Sequence, residues 1–591
     1  MKIAGLLLTI GMAVIPSIAA AVPVRPSVFK VMQPDGKRLE LTVTGDESSR
    51  VTRTVDGLAV VRDDSGVWRY AIPSYDGTPI PGRMIAHDRN DRSISEQRSI
   101  AGIDQTIFLN SVFNAKPGLS GMSAARAASA SPGDYALTHF SRTGSPKVLV
   151  VLVEFPDKRF SKDTRTIYSI YNEMYNGHGY HDTICYKDNT IYNNSGSVRE
   201  YFESQSYGVF SPSFDIVGPL MADNGYAYYG RNSNRTTNSD SQNAQVLVKE
   251  LCEKIASNNV VNFSDYDSDG DGCVDMMAVI YAGRGENYAG ADENTIWPQN
   301  WSLSVKYRNI YSINYFLTCE LFWDSEDIID GIGVFCHEFS HTLGLPDYYY
   351  GSDVSGNNDS NASIGCWSIM DYGVYANEGF TPVGYTAFER FSLGWLPLTE
   401  ISRAGSYTIQ ELNGGKGNAY RLPSSTDDNA YFILEFHARK GWYKYQAASG
   451  LMVTAVNYDS RRWTSRNVNM SPSSKCYYII PADNDYSRKT SPGDLFPYKG
   501  KDSLTISSIP ALTIGKSYHS DFNIYGIGLK DSDMVFTIAS ECPTPVLPVA
   551  THGSTEIFDL AGRRQDFAED DMPQGIWIVV KDGRTRKVQV R

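Results

Sequence analysis

The run His337-Glu338-Phe339-Ser340-His341-Thr342-Leu343-Gly344-Leu345-Pro346-Asp347 confines this chain more tightly than any other stretch. Residues four apart share one face of a helix, so His337 and His341 can address a single metal ion. Glu338 stands beside them as a general base. Gly344 predicts the end of that helix, because glycine accepts the left-handed turn that closes helices. The chain can then swing back to offer Asp347 as a third ligand. Three protein ligands leave one position for water, which is the arrangement of a catalytic zinc rather than a structural one. The apolar residues Ile328, Ile329, Ile332, Val334 and Phe335 lead into the motif and predict a buried helix over 328–343. Buried histidines need partners, and a metal is one.

Downstream, Ser368-Ile369-Met370-Asp371-Tyr372-Gly373 resembles the Met-turn of the metzincins, zinc peptidases with an extended form of the same motif. The resemblance implies that Met370 is an apolar floor beneath the metal and that Tyr372 donates a hydrogen bond to the reaction's oxyanion. A wider stretch is similar to the M6-type, immune-inhibitor-A-like secreted metallopeptidases found in Bacteroidetes. Residues 148–157 (VLVVLVEFPD) are similar to that family's opening strand, and 196–202 (GSVREYF) to its first long helix. Ser197 and Glu200 there also form a capping box. Residues 382–395 (PVGYTAFERFSLGW) are similar to the helix after the family's Met-turn, so the likeness covers roughly 148–395.

A chain of 591 residues is too long for one core and implies several domains. The net charge of −13 argues against a nucleic-acid partner, which would require a basic patch. No internal apolar run is long enough to span a membrane. Residues 1–21 read as a secretory signal peptide, with Lys2, an apolar stretch from Ala4 to Ile15 and the small residues Ala19-Ala20-Ala21. Disulfides can persist outside the cytoplasm, but the pairing of eight cysteines is not readable from sequence.

Residues 22–133 read as a β-rich pro-domain plus linker. Leu39, Leu41 and Val43 alternate with polar residues, Asp56-Gly57 and Asp63-Asp64-Ser65-Gly66 mark turns, and 116–134 is rich in Ala, Ser, Gly and Pro. A small domain in this place suggests a zymogen cut near Arg126. The region has no cysteine, so a thiol cannot be what blocks the metal. Residues 134–399 form an α/β (α+β) metzincin-like catalytic domain, with buried strands at 148–153 and 276–282 alternating with helices at 197–203, 244–256, 328–343 and 382–391. Within it Asp267, Asp269, Asp271 and Asp275 stand in a D-x-D-x-D-G-x-x-D loop, where clustered carboxylates and Gly272 suggest a structural calcium site. Ala278 holds the place of the bidentate acid of an EF-hand. Residues 400–547 read as a β-sandwich-like domain. Residues 548–591 resemble the C-terminal sorting domain of type IX secretion cargo, through 557–563 (IFDLAGR), 575–580 (GIWIVV) and 587–591 (KVQVR).

The sequence thus predicts a zymogen of a secreted zinc endopeptidase acting on proteins or peptides. It would be released or held at the outer-membrane surface of a Gram-negative bacterium by the type IX machinery. Two rivals are an adhesin built on a dead peptidase frame and a gluzincin-type aminopeptidase. The complete ligand set speaks against the first, and the Gly344–Asp347 pair against the second, whose third ligand is a distant glutamate.

Overall fold

The computed structural model describes residues 22–25, 27–46, 49–74, 79–103, 140–232, 243–288, 290–349, 363–413, 417–464, 468–469, 475–486, 490–515, 517–541, 555–567, 569–581 and 584–590. The signal peptide, the linker and Arg126 lie outside them. The described chain forms two compact units, 1–538 and 539–591.

At the centre of the larger unit is a five-stranded sheet. Its strand order is Ser213–Met221, Lys147–Glu154, Cys273–Arg284, Ile310–Leu321, Gln299–Tyr307, parallel except for the last strand. Strands covered on both faces read as unbroken apolar runs, and Lys147–Glu154 does. Its Val148, Val150 and Leu152 join the core that contains Phe335 and Phe339 of the motif helix. The alternate residues Leu149, Val151 and Val153 join the opposite core, with Leu247, Val248 and Leu251 of the helix Ala244–Ser257. The metal motif therefore sits in one outer layer of a three-layer α/β/α arrangement. On the same side lie the helices Thr164–Asn176 and Val198–Gln205, the second started by the expected Ser197–Glu200 capping box.

Two sequence expectations shift. The motif helix runs Gly333–Thr342, not from 328. Residues 328–330 instead extend beside the end of the central strand Ile310–Leu321. Phe322 N–H donates to Ile328 O (2.9 Å) and Asp330 N–H to Glu320 O (2.8 Å). The later helix is Ala387–Ser392, because Thr386 caps it through Glu389 and the residues before it are spent on tertiary hydrogen bonds such as Val383 N–H to Gly373 O (3.2 Å).

Residues 28–85 build two three-stranded antiparallel sheets, with Leu39, Leu41, Val60 and Tyr70 between them. Residues 398–539 build a five-stranded, a three-stranded and a two-stranded sheet. Along Ala430–His437, Phe432, Leu434 and Phe436 face the core of this β-rich part, whereas Tyr431 and Ile433 belong to the core that contains Phe335 and Phe339 of the motif helix. The smaller unit is a four-stranded antiparallel sheet, ordered Arg564–Gln565, Thr555–Phe558, Gly575–Lys581, Arg584–Val590. The seven described cysteines are all free thiols. No helix among the described residues is long and apolar enough to cross a membrane.

Candidate metal centre

The motif helix is buried along its whole length. It ends as the glycine predicts. Gly344 has φ +104°, its N–H donates to His341 O (3.0 Å), and Leu345 N–H donates to Ser340 O (3.1 Å). This pair of bonds is a Schellman motif, and it turns the chain so that Asp347 comes back to the helix. The donor atoms of His337, His341 and Asp347 all lie within 4.8 Å of one another. Nε2 of His337 is 3.3 Å from Asp347 Oδ1, and Nε2 of His341 is 3.4 Å from the same oxygen.

The backbone fixes which ring nitrogens face inward. His337 Nδ1 lies 2.8 Å from Ile369 O, and His341 Nδ1 lies 2.8 Å from Leu345 O. A carbonyl only accepts, so each Nδ1 carries the ring proton and each Nε2 presents a lone pair. Three buried acceptors then converge with no proton between them, which is repulsive unless a cation joins them. Ligands about 2.0–2.1 Å from a tetrahedral zinc stand roughly 3.3–3.4 Å apart. The residues fit the ion.

Glu338 is buried, and its Oε1 accepts a hydrogen bond from Val22 N–H at 3.0 Å. The segment 22–25 is thus seated at the motif. Tyr375 Oη donates to Pro23 O (2.6 Å), and Arg25 N–H donates to Asn287 O (2.9 Å). Arg25 is itself buried. Its guanidinium lies among the rings of Phe322, Trp323, Tyr288 and Tyr375 and pairs with Glu378. Beneath it, Asp330 accepts from Tyr288 Oη (3.0 Å). Burial pushes the Asp330 carboxyl up to about 6, against the pull of Arg25.

Met370 is buried, and its carbonyl accepts from Tyr348 N–H (2.9 Å), tying the turn to the residue after Asp347. Ser368 Oγ supports the turn by accepting from Met370 N–H (3.0 Å) while donating to Glu389 Oε1 (2.5 Å). Burial pushes the Glu389 carboxyl up to about 7, although Ser368 and Thr386 pull it down. The β-rich part props the same region. Asn469 Nδ2 donates to Tyr348 O (2.8 Å), Glu435 accepts from Ala387 N–H (2.6 Å) and Asp494 accepts from Trp367 Nε1–H (2.7 Å). Tyr372 is half-buried, with its N–H on Asp371 Oδ1 (2.8 Å). It is Tyr375, three residues on, whose hydroxyl meets the bound segment. Nothing in the sequence singles out Tyr375, Asn287, Asp330 or Glu378, since their meeting depends on contacts between distant parts of the chain.

The acidic loop gathers three of its four predicted members. Asp267, Asp269 and Asp271 lie within 4.8 Å of one another, and Asp275 is not part of that cluster. Asp275 is buried, accepts from Ser268 N–H (2.8 Å), and titrates above the usual carboxylate range through burial and the charges of Asp269 and Asp267. Gly272 takes φ +85° at the sharp turn.

Residues 136–392 match the model of the Immune inhibitor A peptidase M6 catalytic domain. The chain is similar to the pre-pro-metalloprotease PrtV of Vibrio cholerae serotype O1, 27% identical over 322 residues, covering 48% of this chain and 33% of that protein. It is also similar to Immune inhibitor A of Bacillus thuringiensis subsp. alesti, 26% identical over 315 residues, covering 47% of this chain and 44% of the relative. The matched part thus spans less than half the length of either. These likenesses support a metallopeptidase.

Proposed function

We propose that the chain is the zymogen of a secreted zinc endopeptidase that hydrolyses proteins. The observation that carries this reading is the backbone N–H of Val22 on the Glu338 carboxylate beside three converging acceptors. With the signal peptide 1–21 removed, Val22 N is an amine, and it stands where a leaving amine would receive its proton. His337, His341 and Asp347 hold the zinc. When bound, the ion supplies Lewis acidity that polarises the scissile carbonyl and acidifies the attacking water. Glu338 takes the water's proton on its carboxylate and returns it to the leaving nitrogen. Ile369 O and Leu345 O keep the two imidazoles in the tautomer that can bind a metal. Tyr375 holds the backbone carbonyl one residue beyond that nitrogen. Oxyanion stabilisation by Tyr372 belongs to the same reading.

The segment 22–25 fills the place of a substrate and blocks the cleft, which supports latency. Calcium in the 267–271 loop would be structural. Residues 548–591 would carry the chain through the type IX machinery to the surface of a Gram-negative cell. The test is digestion of a denatured protein by the full chain before and after limited proteolysis. Chelator-sensitive cleavage that rises after processing is expected. Equal inactivity in both states, with the metal bound and the fold intact, would refute the reading.

A further inference from the structure

The segment that blocks the cleft also carries a register. Val22 N–H sits on Glu338 Oε1, the oxygen set to protonate a leaving nitrogen, so Val22 occupies the first position on the leaving side. Arg25 is then at the fourth. Two of the backbone hydrogen bonds along the segment are made with the catalytic part: Tyr375 Oη donates to Pro23 O, and Arg25 N–H donates to Asn287 O. Neither depends on the side chains of the segment, so a substrate backbone can repeat both.

What surrounds the Arg25 side chain is selective. The guanidinium carbon lies 4.7 Å from the ring centroid of Phe322, 5.3 Å from Trp323, 5.7 Å from Tyr288 and 5.8 Å from Tyr375. Glu378 pairs with it at the rim, and the buried Asp330 carboxyl is close enough to feel its charge. All six residues come from the catalytic part of the chain, so the pocket remains when the segment leaves. Vacated, it would hold two carboxylates among aromatic faces. Without a cation, burial drives the Asp330 carboxyl toward its neutral form, and a returning cation restores the partner that opposes this. Aromatic walls suit a flat, weakly hydrated guanidinium better than an ammonium. The rim is built at a cost in backbone strain. Asn377 (φ +48°) and Glu378 (φ +61°) are consecutive non-glycine residues in the left-handed region, held by Asn377 Nδ2 on Asn193 O (2.8 Å). Such strain persists where a side chain must be aimed, and here it sets Glu378 against the cation.

We infer that the Arg25 pocket is a substrate subsite for a basic side chain, arginine above all, at the fourth residue on the leaving side of the scissile bond. This rests on the peptidase reading above. The latency segment is then a copy of the preferred sequence, held in place by the same pocket.

The test is to activate the full chain by limited proteolysis, expose it to a library of unfolded peptides and sequence the new amino termini. Arginine should be enriched roughly tenfold at the fourth position, with lysine behind it, and Glu378→Gln should reduce the enrichment. Cleavage with no preference at that position overturns the subsite and leaves the peptidase reading intact. No cleavage at all overturns the peptidase reading and the subsite with it. A second measurement covers the case in which Glu378→Gln fails to fold. The full chain with Arg25→Ala should gain melting temperature in ethylguanidinium more than in ethylurea, with no such difference in the unsubstituted chain. Equal responses to the two solutes would count against a cation pocket.

Discussion

Removing Arg50 should wake the uncleaved chain. Arg50 Nη2 lies 2.6 Å from Glu286 Oε1, with side-chain exposures of only 12% and 2%. The guanidinium also rests 5.1 Å from the ring centroid of Trp297. The pair joins the N-terminal sheets to the catalytic part. Burial pushes the Glu286 carboxyl up, and Arg50 opposes that shift. Arg50→Ala leaves this carboxylate in its dry site, with Asn232 Nδ2 still donating at 2.8 Å. Breaking one side of a buried pair costs about 3–5 kcal/mol. Protonation of Glu286 relieves part of that, so the lower end applies. A loss of about 3 kcal/mol in docking raises the undocked fraction roughly a hundredfold. The assay is the rate at which the uncleaved chain hydrolyses a quenched fluorescent peptide, beside the proteolytically activated chain. The uncleaved variant should be about a hundredfold faster than the uncleaved parent, and the two activated forms should match. An uncleaved variant that is destabilised yet as silent as its parent would refute the reasoning that docking enforces latency.

Three further outcomes follow from the same geometry. Gly344→Ala places a side chain at φ +104°, which should cost about 1–3 kcal/mol and weaken metal binding, because Leu345 O and Asp347 are aimed by that turn; unchanged zinc affinity in a chelator competition would contradict this. Glu389 has a raised folded-state carboxyl, about 7, so its proton stays in the folded state while the unfolded chain has lost it. This contribution is present below about pH 4.3 and is lost as the pH rises toward 7, by on the order of 3 kcal/mol. Glu389→Gln should therefore gain stability relative to the parent between pH 5 and 8, and a constant difference across that window would argue otherwise. Calcium in the Asp267–Asp269–Asp271 loop should raise the melting temperature of the zinc-loaded chain, and Asp269→Asn should abolish the rise; a calcium response untouched by that substitution would remove the site.

The meeting of His337, His341 and Asp347 was readable because these residues are local. His337, Glu338, His341 and Asp347 lie within eleven residues, and helix periodicity with one glycine turn brings them together. The start of that helix was not readable. Ile328, Ile329 and Ile332 suit a buried helix and an extended segment equally, and only the sheet edge at Glu320 and Phe322 decides. The unbroken apolar run of Lys147–Glu154 announced a strand covered on both faces. Met370, assigned through the resemblance alone, is buried. Tyr375 and Val22 could not be found in this way, because Pro23 and Tyr375 meet across 352 residues of sequence. Residues 400–547 read as a β-sandwich-like domain, yet one face of Ala430–His437 completes the core around the motif helix. Asp275 stands four residues after Asp271, outside the two-residue spacing of its loop partners, and accepts from the Ser268 backbone instead.

The central claim, that His337, His341 and Asp347 hold a catalytic zinc served by Glu338, is tested most directly by counting metal and turnover together. The activated chain, its Glu338→Ala variant and its His341→Ala variant would be assayed for bound zinc and for digestion of casein. The account predicts zinc in the first two, cleavage by the first alone, and neither zinc nor cleavage in the third. Full activity in folded His341→Ala, or in Glu338→Ala, would contradict it.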